Sequence, residues 1–187
     1  GEQGGAILSH SIHIHDLITM IFGPVSSIYA KLSTRVNDIE VEDCAALSLE
    51  MSNGALVTSS ITLGAAEDVS RIKICFSNLT AESAGSPDKP YNPADDEWRF
   101  LAREPVTQNQ IDEVLSNVQL TKSWYAGMFE EIGKNLDGLT SDEVTLSDAR
   151  QSLEFVTAVY DSSNQGKNIN MPIEKGNPLY KSWIPKK

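Results

Sequence analysis

From Val25 to Glu82 apolar residues recur at every second position, in runs joined by connections too short for a crossover, and this restricts the fold more than any other feature of the chain. In Val25 to Val36, Ile28, Ala30 and Leu32 take one side and Tyr29, Lys31, Ser33 and Arg35 the other. Asp43 to Met51 repeats the pattern with Ala45, Leu47, Leu49 and Met51. Ser52-Asn53-Gly54-Ala55 then reads as an Asn-Gly hairpin turn of the primed type, returning the chain into Leu56 to Leu63. A further alternation, Arg71 to Phe76 with Ile72, Ile74 and Phe76 inward, leads to strands at Leu79 to Glu82 and Trp98 to Ala102. Strands linked this closely are antiparallel, because a parallel return needs a crossover of about a dozen residues. The expected fold is therefore α+β: an open, mostly antiparallel sheet with helices packed on one face. The other face, to which Tyr29, Val57 and Ile61 are assigned, is a candidate surface for a homo-oligomer.

The helices come from the two ends of the chain. Gly4 to Pro24 has helical periodicity and holds all three histidines within six residues. At roughly 100° per residue, Ile7, Ser11, Ile14, Leu17, Ile18 and Ile21 share a broad face with His10 in its middle, which makes His10 a buried core residue by position. Ser9, His13, Asp16 and Met20 form a stripe along the border of that face, and His15 points away from both. His13 thus has a hydroxyl one turn before it and a carboxylate three residues after it. That arrangement suits a side chain whose proton affinity lies near neutrality.

Two more helices are expected after residue 120. Tyr125, Met128, Phe129, Ile132 and Leu136 form the stripe of one, which stops at Gly138. Ala149, Leu153, Val156 and Tyr160 form that of the other, opened by Thr145-Leu146-Ser147-Asp148 as a capping box and closed by Gly166. Asn168 to Pro172 reads as a short strand, and Tyr180, Trp183 and Ile184 as a tail that docks back. Gly85 to Glu97, with three prolines, is a long loop of the kind that covers sites, and residues 103 to 120 carry no clear periodicity.

Composition narrows the function classes. With 26 acidic against 15 basic residues, a net charge of -11, the chain is a poor partner for nucleic acid or an anionic membrane. No apolar run reaches the roughly 18 residues of a membrane span. Cys44 and Cys75 lie within predicted strands at no metal-type spacing, which reads as two free buried thiols in a reducing, cytoplasmic setting.

These elements in this order, with GGAILSHSIHIHDLITMIFG at the front, resemble the C-terminal, substrate-binding domain of the Gfo/Idh/MocA oxidoreductases, the glucose-fructose oxidoreductase and inositol dehydrogenase family. There a Gly-Gly pair precedes an Asp-x-x-x-His-x-x-Asp pattern on an apolar helix ending in Gly. Asn53-Gly54-Ala55, the run from Ser147-Asp148-Ala149-Arg150 to Tyr160-Asp161-Ser162, and Gly166 followed by Pro172 also resemble family segments. The resemblance implies that residues 1–187 form a substrate-binding and oligomerisation domain, and that NAD or NADP is held by an N-terminal Rossmann domain. No G-x-G-x-x-G follows a predicted strand here, so no cofactor-binding residue is assigned to this chain.

By position, the resemblance makes His13 the catalytic acid/base, acting on a sugar or polyol hydroxyl as hydride moves to the nicotinamide, and Asp16 an orienting residue. Ser9 stands where the family has aspartate, with His10 beside it, and both are expected to touch or orient substrate. A hydroxyl carries no charge and cannot stabilise a protonated His13 as aspartate would. That departure motivates the alternative of a non-catalytic binding or assembly module. A metal held by His10, His13 and Asp16 is a third reading, disfavoured because His10 is assigned to the core and no further ligand is evident.

Overall fold

The structure, a computed structural model, describes residues 4–85, 97–122 and 124–183, so the 85–97 loop and Ile184 lie almost wholly or wholly outside the described residues. The described chain divides into two compact units, one formed by the stretches up to residue 66 and from 146 onward, the other by residues 67–145.

The first unit is built on a four-stranded antiparallel sheet of β1 (Val25–Ser33), β2 (Cys44–Met51), β3 (Leu56–Thr62) and β7 (Ile169–Asn170), in the order β3-β2-β1-β7. Alternation places Ile28, Ala30, Leu47, Leu49 and Met51 in a core with Phe155, Val156, Val159 and Tyr160 of α4 (Leu146–Gln165). Val57 and Ile61 pair across from Leu49 and Ala45 and pack on this same core. They are therefore on the helix-covered face, contrary to the reading from sequence, and only Tyr29 of the three assigned to the open face lies there, 46% exposed. The error is one of phase: in an antiparallel ladder directly paired residues share a face, so β3 inherits its facing from β2.

The β2–β3 hairpin forms as expected, with a different turn. Met51 N–H donates to Ala55 at 2.9 Å around a three-residue loop, and only Gly54 has positive φ, at 86°. Both primed turn types need positive φ at the first central residue, here Asn53, which does not have it. Asn53 instead uses its side chain, whose Oδ1 accepts from Ala55 N–H at 2.9 Å.

Because β7 is only two residues long, it pairs β1 only at Ser27 and Ile28. The next inward-facing amides of that edge are satisfied from α4: Ala30 N–H donates to Ser162 Oγ at 2.9 Å and Leu32 N–H to Ser163 Oγ at 3.0 Å. Two serines in a helix thus finish a sheet edge that would otherwise bury unpaired donors. The loop before β2 is closed by the fully buried Asp43, whose carboxylate accepts from Arg35, Val36 and Asn37 N–H at 2.7 to 2.8 Å. These bonds, that of Asn37 foremost, outweigh burial and hold its carboxyl well below the usual range. The tail docks as expected, with Trp183 Nε1 donating to Thr157 Oγ1 at 3.0 Å and its ring 5.3 Å from that of Tyr160.

The second unit has its own antiparallel sheet, β4 (Lys73–Cys75), β5 (Leu79–Ser83) and β6 (Trp98–Ala102), so the expected single sheet is two. Ile72 and Ile74 are buried as read, whereas Phe76 lies past the end of β4 and is 40% exposed. Residues 103–120 contain α2 (Gln108–Ser116), opened by a capping box between Thr107 and Gln110 that was present in the sequence as Thr-x-x-Gln. In α3 (Trp124–Leu136) the apolar stripe forms without any buried residue. In α4 only the C-terminal part of the predicted stripe is buried: Val156 and Tyr160 are, Ala149 and Leu153 are exposed. Both cysteines are free as expected but neither is buried, since each sits at a strand end where the side chain is half-exposed or exposed.

Candidate functional site

The site helix begins on a glycine whose missing side chain is required. A Cβ on Gly5 would lie 2.2 Å from the Glu42 carbonyl oxygen, because the chain passes against the backbone two residues before β2. Ala6 N–H donates to that same oxygen at 2.9 Å, and Ile7 N–H to Glu42 Oε1 at 3.1 Å. The buried Tyr160 hydroxyl donates to Glu42 Oε1 at 3.0 Å. Burial and the neighbouring carboxylate push the phenol up, which keeps it a donor. Glu42, missed in the sequence reading, therefore binds the helix start through backbone and side chain together. Gly5→Ala is expected to cost about 2–3 kcal/mol, since backbone rather than a movable side chain blocks the methyl. A denaturation midpoint equal to that of the parent protein would contradict the close approach.

Ile7–Ser11 is a π-helical turn and α1 (Ile12–Phe22) continues from it as α-helix. A turn closed by i→i+5 bonds contains one extra residue, which rotates everything after it by roughly 100° relative to an uninterrupted α-helix. The buried line runs Ile7, Ser11, His15, Ile18. His15 is the core histidine, 2% exposed, and His10 is exposed. Both assignments from the helical wheel are thereby reversed, because the wheel was centred towards Ile14, Leu17 and Ile21, of which Ile21 is exposed, whereas the buried residues lie to the other side of Ile7.

His15 sits with its ring centroid 4.5 Å from that of Phe155 and its Nε2 3.5 Å from Ser59 Oγ. Its Nδ1 is buried without a hydrogen-bond partner among the described residues. Burial pushes the imidazole down to about 4, so it is neutral at pH 7.

The border stripe is at the surface: Ser9, His13 and Asp16 are exposed and Met20 is 75% exposed. The residues pair differently from their sequence spacing. Ser9 Oγ donates to Gly5 C=O at 2.7 Å and lies 2.7 Å from His10 Nδ1. Asp16 Oδ1 accepts from Ser152 Oγ of α4 at 2.9 Å. The structure thus brings Ser9 and His10 together, ties Asp16 to the neighbouring helix, and presents His13 to solvent between them along α1. Among the described residues no group of three or more His, Cys, Asp or Glu side chains is placed to hold a metal ion. No helix among them is long and apolar enough to cross a membrane.

All strand pairs are antiparallel, so the described residues contain no βαβ unit whose Gly-rich turn could cradle a dinucleotide. The second unit holds an open groove lined by Arg71, Glu82, Trp98 and Arg99, in which Arg99 pairs with Glu82 at 2.8 Å. None of the predicted site residues lines it.

Residues 1–82 match the family model of the GFO/IDH/MocA C-terminal domain. No curated protein matches the sequence. Among solved structures, the chain is similar to the WlbA dehydrogenase from Bordetella pertussis, in complex with NADH and UDP-GlcNAcA, at a TM-score of 0.67 and 22% identity over 92% of this chain and 46% of that one. It is similar to the aldose-aldose oxidoreductase from Caulobacter crescentus, complexed with glycerol, at 0.65 and 18% over 90% and 48%. An oxidoreductase from Agrobacterium radiobacter, in complex with NAD+, L-tartaric acid and magnesium, aligns at 0.60 and 15% over 88% and 48%. At these identities the likeness is one of fold, and the chain spans about half the length of each of these structures.

Proposed function

We propose that this chain, whose residues 1–82 match the family model of the GFO/IDH/MocA C-terminal domain, is the substrate-binding half of an NAD(P)-dependent oxidoreductase that acts on a hydroxyl of a sugar or polyol. The observation that carries this reading is the exposed stripe on α1, where His13 stands in solvent beside the Ser9–His10 pair. An imidazole so placed can take the proton of a substrate hydroxyl. The nicotinamide cofactor, held by a dinucleotide-binding domain, supplies the hydride acceptor. This chain's share is to bind the sugar, orient it and hold the proton. Two of the similar structures carry UDP-GlcNAcA or glycerol and two carry NADH or NAD+, which supports a hydroxylated substrate and a cofactor of this type.

The reading extends to a cytoplasmic homo-oligomer joined through the outer face of the four-stranded sheet, where Tyr29 and Leu56 are exposed apolar groups. One observation favours a non-catalytic binding module instead: Ser9 brings no charge to the stripe, and its proton is spent on Gly5. The deciding experiment incubates the whole protein with a panel of sugars and polyols, with NAD+ and with NADP+, and follows reduced cofactor. Oxidation of at least one sugar is expected. Binding of reduced cofactor with no turnover across the panel would establish the binding module.

A further inference from the structure

We propose that the exposed face of α3 is a self-association surface, on which a second copy of this chain seats its own α3 across a two-fold axis.

α3 is an amphipathic helix without a buried residue. Its apolar side chains recur at spacings of three and four, so Tyr125, Met128, Phe129, Ile132 and Leu136 make one unbroken stripe. Tyr125 is 71%, Phe129 64% and Leu136 81% exposed. The helix ends in a Schellman motif, Gly138 N–H donating to Asn135 C=O and Leu139 N–H to Lys134 C=O, each at 2.9 Å, which returns Leu139 to the last turn. Leu139 is 62% exposed, and Trp124, the first residue of the helix, 70%. An aromatic side chain carries ~150–250 Å² and an aliphatic one rather less, so these fractions leave roughly 800 Å² of apolar surface on a single helix. The largest apolar patch of a typical monomer is ~300–600 Å², whereas a standard protein–protein interface covers about 800 Å² on each partner.

Charge selects the occupant. Glu130, Glu131 and Lys134 fall on the opposite side of the helix and are paired within the chain, Glu130 with Lys122 at 3.1 Å and Glu131 with Lys134 at 2.5 Å. Two copies of net charge -11 repel wherever charged faces meet, and this face buries no charge. A stripe that is apolar from end to end also complements itself, as a two-fold contact requires, because the same patch serves both sides. A membrane-lying helix instead carries Lys and Arg along its polar side, where α3 has two glutamates to one lysine. Gly133 lies beside the stripe, one turn from both Phe129 and Leu136. A Cβ there would meet nothing within 4 Å among the described residues, so the fold of this chain does not require glycine at a helix-interior position where it is unfavourable. A second backbone crossing at that point accounts for it.

This surface is separate from the outer face of the four-stranded sheet and independent of the reaction proposed above. Sedimentation equilibrium of the whole protein carrying Tyr29→Glu, which blocks association through the sheet, is expected to find a reversible dimer. Adding Phe129→Glu should weaken that dimer about 30-fold or more, the effect of losing a central aromatic anchor. Adding Gly133→Gln should weaken it about tenfold while keeping the helix, since glutamine is the better helix former. Urea midpoints measured on the dilute monomer should not fall in either variant. A monomer before either addition overturns the proposal, as does a dimer that Phe129→Glu leaves intact. Unchanged association in Gly133→Gln overturns the close approach. A lowered monomer midpoint in Phe129→Glu with association unchanged would mean that the rest of the same chain covers α3, and overturns the proposal as well.

Discussion

Replacing His13 with alanine in the whole protein is expected to lower kcat by about 10²–10⁴-fold while the fold is kept. The imidazole is exposed on α1 and contributes nothing to the core, so its removal should leave the denaturation midpoint within about 0.5 kcal/mol of the parent. The whole effect then falls on the chemical step. Oxidising an alcohol requires its proton to leave as hydride departs, and among the exposed stripe residues Ser9 and Asp16 are committed, one to Gly5 and the other to Ser152. Neither is placed to take over. A steady-state comparison of kcat with urea unfolding checks both halves, and full turnover in His13→Ala would remove it from the catalytic role without touching the fold.

Acidification should weaken the protein on the order of 3 kcal/mol through His15 alone. Its value in the unfolded chain is near 6.5 and in the folded protein about 4, a difference worth about 1.36 kcal/mol per unit. Between those values the unfolded state binds a proton that the folded state refuses, so stability falls as pH falls. The contribution is complete above 6.5 and lost progressively on the way down to 4. Its cause is local: the ring lies against Phe155 with a buried Nδ1 that has no acceptor or donor among the described residues, and no carboxylate is recorded bonding to it. Urea unfolding of His15→Leu at pH 7 and at pH 4.5 should lose most of this dependence, whatever its absolute stability. Parallel pH profiles for parent and variant would mean that His15 is solvated.

The elements were legible where one period governs a whole segment. β1, β2 and β3 follow from strict alternation, the hairpin from Asn53-Gly54, and the ends of α1 and α4 from Gly23 and Gly166, both with positive φ. α2 was equally available, since Thr107 and Gln110 form a capping box in sequence and in structure. Ser9, His13, Asp16 and Met20 read as one line bordering the buried face and do lie on one side of the helix, where all four are exposed, because spacings of three and four keep residues aligned.

What the sequence did not contain was the phase. The facing of the site helix is held by bonds at its first turn to residues far along the chain. Here Glu42, 35 residues from Ile7, and Tyr160, 118 residues from Glu42, meet at one carboxylate, and Gly5 is squeezed against the same backbone. That convergence accompanies the exchange of His15 for His10 in the core, and no pattern within Gly4 to Pro24 records it. The sequence by itself determined that three histidines share one amphipathic helix beside an antiparallel sheet. Which of them is buried, which is held by a serine and which meets solvent was decided only by the tertiary contacts, because the rotation of a helix about its axis is set by what its first turn is bonded to.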